Sequence, residues 1–468
     1  MSPNLTRRQF LLTSGAAASA SLFSSPLSLF DRAEASQHVV RRGVDDMSAH
    51  DPVLVSYQKA VKAMKALPER DTRSWAYQAA IYGTAASKAK IAWNTAQHGN
   101  YFFWSWHRMY LYWFERIVRK FSQDPHWALP YWDWSAPSGR QIPGPFRDPS
   151  SELFVADRRT AMNAGGILPP SHTDYTQAFT FSGFSNASLC LESTPVGAVH
   201  VDVGGWMGSV VTAAQDPLFY VHGANIDRLW SLWLTQGGGR MDPTGDTAWT
   251  KHRFTFFNEN GKPVQMTSCD VLRATEELHY IYEGSPVQEK QYCSRKPVTA
   301  PIGPIEEALV VPPVSPITLT SEPITVSIDI TNLSGKLHQH AEHATDQILL
   351  DLRDVEAASN PGVVWDVFVG LPKGTTADAQ SPAFVGSLAL FGTGIRNEAP
   401  HGFHPARFVF PIKRPLLTSL AQSSGELSVL FVPQGVLVDG KPLPPDVTTP
   451  VRIGRLGIIV ERTQVGRG

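Results

Sequence analysis

The apolar positions change their period part-way along this chain. In the first half they recur at three and four residues, the spacing of a helix with one buried face. YQKAVKAMKALP, Tyr57 to Pro68, follows that spacing and stops at a proline, which predicts an amphipathic helix. In WSWHRMYLYWFERIVRKF, Trp106, Tyr110, Trp113, Ile117 and Phe121 fall on one stripe, and Glu115 and Arg119 form an i,i+4 pair. A buried helix with one charged edge is expected there. In DPLFYVHGANIDRLWSLWL, Phe219, His222, Ile226, Leu229 and Trp233 lie close to one face. Between these runs, residues 135–195 are rich in Pro, Gly and Ser and read as long loops framing a site.

Past Tyr282 the texture changes. SRKPVTAPIGPIEEALVVPPVSPITLTSEP carries no helical period and reads as a proline-rich linker over residues 286–323. Beyond it, ITVSIDI, QILLDLRDV, VVWDVFVGL, FVGSLALFG, ARFVFPI, ELSVLFVPQ and LGIIVER are short strand-like runs separated by turn residues. The predicted fold class is multidomain α+β, with a mainly α-helical bundle core over residues 40–285 and a C-terminal all-β sandwich over residues 324–462.

The N-terminus stands apart from both halves. Arg7 and Arg8 precede a weakly apolar run that ends at Ala33-Glu34-Ala35, a small-x-small site. This looks like a bacterial twin-arginine export signal over residues 1–35, with a periplasmic or extracellular destination. Lys+Arg 41 against Asp+Glu 42 leaves no electrostatic footprint for nucleic acid or an anionic membrane surface, so the expected partner is a small molecule. No later stretch approaches the roughly 18 uncharged apolar residues that a membrane-spanning helix needs. With three cysteines, Cys190, Cys269 and Cys293, at most one bridge is possible, Cys269 with Cys293 being one pairing, and an odd thiol remains.

Common catalytic signatures are absent: there is no G-x-S-x-G elbow, P-loop, H-E-x-x-H or C-x-x-C. What remains is histidine. His98, His107, His200 and His222 all lie in the helical half in apolar or aromatic surroundings. A lone histidine there is more often a core residue, but four in one bundle point to a metal centre, and imidazole suits Zn, Cu, Fe and Ni. HQHAEH, with His338, His340 and His343, and the pair His401 and His404 are weaker alternatives near solvated segments.

WNTAQHGNYFFWSWHRMYLYWFERIV, LPYWDWS, PVGAVHVDVGG and DPLFYVHGANIDRLWSLW resemble the two copper-binding regions of the tyrosinase, catechol oxidase and polyphenol oxidase family, in order and at matching separations. The strand-rich tail more loosely resembles the family's C-terminal shielding domain. The resemblance implies copper as cofactor, a small phenolic molecule as substrate, and a C-terminal domain that covers the pocket. It also implies three histidines on each of two coppers. At the first copper His98 and His107 match, but the remaining ligand position holds Tyr82. At the second, His200 matches, Val196 occupies another position and Gly223 the last, with His222 matching an outer-shell neighbour. Glu192 matches the family's glutamate that orients a water, and Asp227 and Arg228 resemble bracing residues. Ala96 and Ser105 stand where the family often has cysteine and proline. Tyr82 could ligate as phenolate, because a bound cation lowers a phenol's pKa from about 10. Val196 and Gly223 carry no donor. Two functional expectations follow: a copper oxidoreductase with a modified or mononuclear site on His98, His107, Tyr82 and the other surviving histidines, or a catalytically inactive binding or scaffolding protein on the same fold.

Overall fold

The computed structural model describes residues 38–284 except 87–89, Cys293, and residues 305–462 except 310–315, 332–334, 336–338, 341–345, 373, 399–402, 415 and 417–424. Residues 1–35, where an export signal is expected, most of the expected linker, His338, His343 and His401 lie outside the described residues.

Among the described residues, six α-helices of six or more residues build the site-bearing half. Helix α1 (Pro52–Lys65) opens on Asp51, whose side chain accepts from Val53 N, and on Pro52, whose fixed φ suits a first turn. Helix α2 (Trp75–Tyr82) opens on Ser74 in the same way and ends at Tyr82. Then come α3 (Phe103–Ser122), α4 (Phe184–Leu191), α5 (Ala198–Val203) and α6 (Pro217–Thr235), the last capped by Asp216. Helix α3 packs against both α1 and α6. From the predicted stripe, Trp106, Tyr110 and Ile117 are fully buried, whereas Trp113 and Phe121 are only partly so.

The charged edge of α3 points inward, against expectation. Glu115 is buried and bonds Arg41 Nε at 2.9 Å, Leu129 N at 2.9 Å and Arg119. Arg108, on the same helix, is buried against Asp227 of α6. Asp227 also accepts from Arg41 (3.2 Å), Tyr280 Oη (2.5 Å) and Tyr282 Oη (2.7 Å). Strand β1 (Val39–Arg41) pairs in parallel with β2 (Tyr280–Tyr282), so both ends of the helical half are stitched together and bonded to α3 and α6. Helical periodicity shows which residues share a face, but these charges are satisfied only by partners far away in sequence.

Cys269 and Cys293 form a disulfide, and Cys190 is a buried free thiol. Among the described residues no helix is long and apolar enough to cross a membrane.

The C-terminal half is two antiparallel sheets face to face. One contains, in order, β8 (Phe384–Leu388), β7 (Val364–Val369), β10 (Glu426–Gln434) and β5 (Ile324–Asp329); the other contains β9 (Ala406–Pro411), β6 (Asp346–Glu356), β11 (Val451–Arg462) and β3 (Ile305–Leu309). Strands β3 and β4 (Ile317–Leu319), which both pair with β11, fall where a linker was expected. Prolines flank these short runs instead of interrupting them, and β3 lies at a sheet edge, where proline-rich context is tolerated.

Alternation along β6 divides two cores. Ile348, Leu350 and Leu352 enter the sandwich with Trp365, Val429 and Ile458, while Leu349, Val409 and Ile459 face the other way and join the helical core. The second sheet is therefore buried on both faces. Asn186 Nδ2 to Glu461 Oε2 (2.7 Å), Val210 N to Glu398 Oε2 (3.0 Å) and Thr194 Oγ1 to Ser387 O fasten the β half to the helical half.

Candidate metal centre

Tyr82, at the end of α2, meets His98, just ahead of α3, and His107, on its first turns. The ring centroids lie 5.5 Å (Tyr82–His98), 5.7 Å (Tyr82–His107) and 5.4 Å (His98–His107) apart, a nearly equilateral triangle. His107 Nδ1 lies 2.7 Å from Phe103 O. A carbonyl only accepts, so Nδ1 carries the proton and Nε2 keeps its lone pair. His98 Nδ1 lies 2.8 Å from Glu192 Oε1, and both Glu192 oxygens take the Gly99 N–H at 2.9 Å. Where Glu192 is ionised, His98 Nδ1 donates to it and the Nε2 lone pair is kept; where Glu192 is protonated its carboxyl donates to Nδ1 and the His98 proton sits on Nε2, an atom that is buried without a partner.

Burial pushes the His98 imidazole down to about 3. Burial, with His98 adding to it, does the same to His107. Both rings are thus neutral, the form in which imidazole binds metal. Burial raises the Glu192 carboxyl to about 8, against the Gly99 hydrogen bond. It also raises the Tyr82 phenol well above its ordinary value, helped by Glu192 and Glu398.

The second group of residues is built differently. The helical run breaks at Thr194, whose backbone is extended, and resumes as α5, which carries His200. His200 Nδ1 donates to Met207 O at 2.7 Å, leaving an Nε2 lone pair. His222 has the opposite tautomer. Its Nδ1 accepts the Trp134 indole N–H at 2.9 Å, and an indole nitrogen can only donate, so the proton of His222 sits on Nε2. That Nε2 is buried and unpartnered, and it presents an N–H where a ligand needs a lone pair. Val196 is buried, and a Cβ on Gly223 would meet Leu111 Cδ2 at 3.4 Å, so leucine already fills the space beside that position.

Phe391 comes from the β half and enters the space among the histidines. Its ring stacks on His200 at 3.7 Å and 7°, and its centroid is 5.8 Å from His98. Gly392 makes the approach possible: its φ is +73°, and a Cβ there would lie 2.4 Å from His98 Nδ1. Among the described residues no three His, Cys, Asp or Glu side chains come together in a cluster that could hold a metal. The side chains with donor atoms that lie together are two imidazoles and one phenol, while Val196 and Gly223, beside His200, carry no donor.

Residues 72–193 and 171–236 match the common central domain of tyrosinase, and residues 244–297 the polyphenol oxidase middle domain. The chain belongs to the tyrosinase and polyphenol oxidase family. Residues 314–461 match a domain of unknown function. Tyrosinase HcTyr1 of Hahella sp. (strain CCB-MM4) is 35% identical over 289 residues, which cover 50% of this chain and 61% of that protein. The latent polyphenol oxidase of Prunus armeniaca is 30% identical over 400 residues, 75% of this chain and 66% of that one. The chain thus spans about two thirds or less of either relative's length. A solved structure of latent apple tyrosinase shares the fold, with a TM-score of 0.66 at 23% identity, covering 91% of this chain and 98% of that one.

Several residues around this family centre escaped sequence reasoning. Phe391 lies about 190 positions beyond His200 in a strand-rich run, and nothing local marks its ring as facing a histidine. Trp134 was visible only as part of LPYWDWS. His172 is buried between Asp202, 2.7 Å from its Nδ1, and Asp366 of the β half, and no motif singles it out. Of the weaker alternatives, His340 pairs with Asp346 at 2.7 Å, and His404 is exposed.

Proposed function

We propose that this chain is a copper protein of the tyrosinase family that holds one copper, not two, on His98, His107 and Tyr82, and that it takes a small phenolic molecule when the site is open. The observation that carries the reading is the buried, unpartnered His98 Nε2 in a triangle with His107 and Tyr82. His222 is left out because its proton faces the site. Copper supplies a one-electron couple and a Lewis-acid charge when bound. The chain's residues do the rest. Phe103 O and Glu192 fix the two imidazoles, burial keeps them neutral, and Tyr82 would offer its phenol oxygen as the third donor. Phe391 excludes water from the His200 side, and the β half acts as its own cover. Arg7 and Arg8 support export through the twin-arginine route, and the change from helical to strand-forming sequence supports a helical and a β domain, the latter including β3 and β4.

A second reading, a binding or scaffolding protein without copper, draws on the Phe391 stack against His200, which uses a would-be ligand as a packing surface.

Metal analysis of the wild type beside the triple restoration Tyr82→His, Val196→His, Gly223→His separates the two. One copper per wild-type chain, with two coppers and catechol oxidation in the restored protein, is the expected result. A wild type that stays copper-free after reconstitution, with an unmoved melting midpoint, favours the scaffold, because a ligand at 100 times its Kd adds about 2.7 kcal/mol to stability. If the restored protein also fails to bind copper, the assignment of ligand positions is wrong.

A further inference from the structure

Where α1 ends and α2 begins, the helical half has an open cleft of about 480 Å³ whose lining includes none of the histidines. Small-molecule sites run from about 300 to 1,000 Å³. Lys65 closes α1, Trp75 opens α2, Asp157 belongs to a loop, Trp206 to the turn after α5, and Gln215 to the approach to α6. Tyr82 is at the other end of α2, roughly 10 Å along the helix axis from Trp75.

Contacts tie these residues to one another. Trp75 Nε1 donates to Gln215 O at 2.9 Å, and Lys65 Nζ lies 5.9 Å from the centroid of the Trp75 ring. Gln215 N donates to Thr212 O at 2.8 Å, and Thr212 Oγ1 donates to Trp206 O at 2.9 Å, so one run of turns holds Trp206 and Gln215. Gly205 has a φ of +53°, and a Cβ there would lie 2.8 Å from Asp157 Oδ2. The Asp157 carboxylate therefore sits against the residue that precedes Trp206. Among the described residues, neither that carboxylate nor the Gln215 amide has a hydrogen-bond partner. Lys65 Nζ donates one of its three protons to Glu152 O at 3.2 Å. Trp206 alone among the described tryptophans is exposed, at 38%. A single exposed indole is ordinary surface. Here it borders a cleft with an idle acceptor, an idle amide and a partly used ammonium, in which one negative and one positive charge balance.

We propose that this cleft binds a neutral saccharide through a pyranose ring with equatorial hydroxyls, its C–H face on the Trp206 indole and its hydroxyls shared among Asp157, Gln215 and Lys65. Equatorial hydroxyls leave the axial C–H bonds to form a flat apolar face, and they point donors and acceptors outward to the rim. An anion would be repelled by Asp157 and a cation by Lys65, so an uncharged polyol with an apolar face suits this lining. The inference does not depend on copper.

Calorimetric titration of the full-length protein with cellotetraose, and with tetragalacturonate as its charged counterpart, tests the proposal. Saturable binding of cellotetraose is expected with a Kd of about 1 mM or below, and tetragalacturonate should bind at least about tenfold more weakly. Trp206→Ala should weaken cellotetraose by about tenfold or more, and Trp206→Phe by less, because phenylalanine keeps a ring face. Asp157→Ala and Gln215→Ala remove side chains that brace nothing in the fold, and each should weaken cellotetraose several-fold even if Trp206→Ala does not fold. No saturable binding in the folded wild type, an unchanged affinity in folded variants, equal affinity for tetragalacturonate, or a Trp206-dependent dimer in place of saccharide binding would each overturn the proposal. All of these outcomes leave the copper reading where it stands, because Tyr82 and its histidines lie beyond the far end of α2.

Discussion

The two groups of histidines are built on different physical principles. Around His98 and His107 the structure keeps hydrogen-bonded imidazoles, a phenol and a buried carboxylate, all converging on one space. Around His200 it has packing instead: Val196 is buried, Leu111 fills the space beside Gly223, and Phe391 lies flat on the remaining imidazole. A histidine that keeps its backbone anchor can still serve as a ligand, whereas one whose neighbours have become apolar serves as a wall. The difference shows that buried space beside a histidine can be filled by apolar side chains instead of donors.

The strongest way to break this contrast is to remove the packing. Phe391→Ala should destabilise the fold by about 3–5 kcal/mol, as large-to-small changes in a closed core do, read as a lower urea midpoint with unchanged slope. A loss under about 1 kcal/mol would mean that the ring does not hold the His200 side. Next comes copper affinity. His107→Ala should cost more than about 100-fold, beyond the cost of losing an outer-shell partner, whereas His200→Ala should change affinity by no more than about threefold. Equal losses from the two variants would show a metal shared between the groups. Tyr82→Phe keeps the ring packing and removes only the oxygen. About 10–100-fold weaker copper binding is expected, together with loss of the visible phenolate-to-copper absorption band; an unchanged spectrum would remove Tyr82 from the ligand set. The smallest effect belongs to Gly223→Ala. Its Cβ would make ordinary contact with Leu111, and alanine favours helix over glycine by about 1 kcal/mol, so stability should rise by up to that amount. A clear loss would show that the position is tighter than the contact distance implies.

Helix α3 shows how much was legible in advance. Its stripe of Trp106, Tyr110 and Ile117 was readable because period 3.6 is a local property, and so were the seven strand-like runs beyond residue 324. The expected Glu115–Arg119 pair is present, but Glu115 is buried as well, because it also meets Arg41, 74 positions away, and Arg108 on the same helix is buried against Asp227, 119 positions away. Strand β3 was missed because a five-residue strand among prolines has no local signal stronger than its flanks. The alternating burial of β6 explains its continuous apolar run, ILLDL: both faces of that sheet are covered, one by the sandwich and one by the helical half.

The sequence by itself determined the family and the succession of a helical half and a strand-rich half, since each is a matter of residue identity and short-range spacing. Tertiary structure decided the rest. The tautomers of His200 and His222 follow from whether the neighbouring atom is the Met207 carbonyl or the Trp134 indole N–H. The state of the site follows from a phenylalanine delivered by the other half through a glycine with no Cβ to stop it. Hydrogen-bond direction and ring stacking depend on atoms brought within a few ångströms of one another, and a linear sequence does not carry those distances.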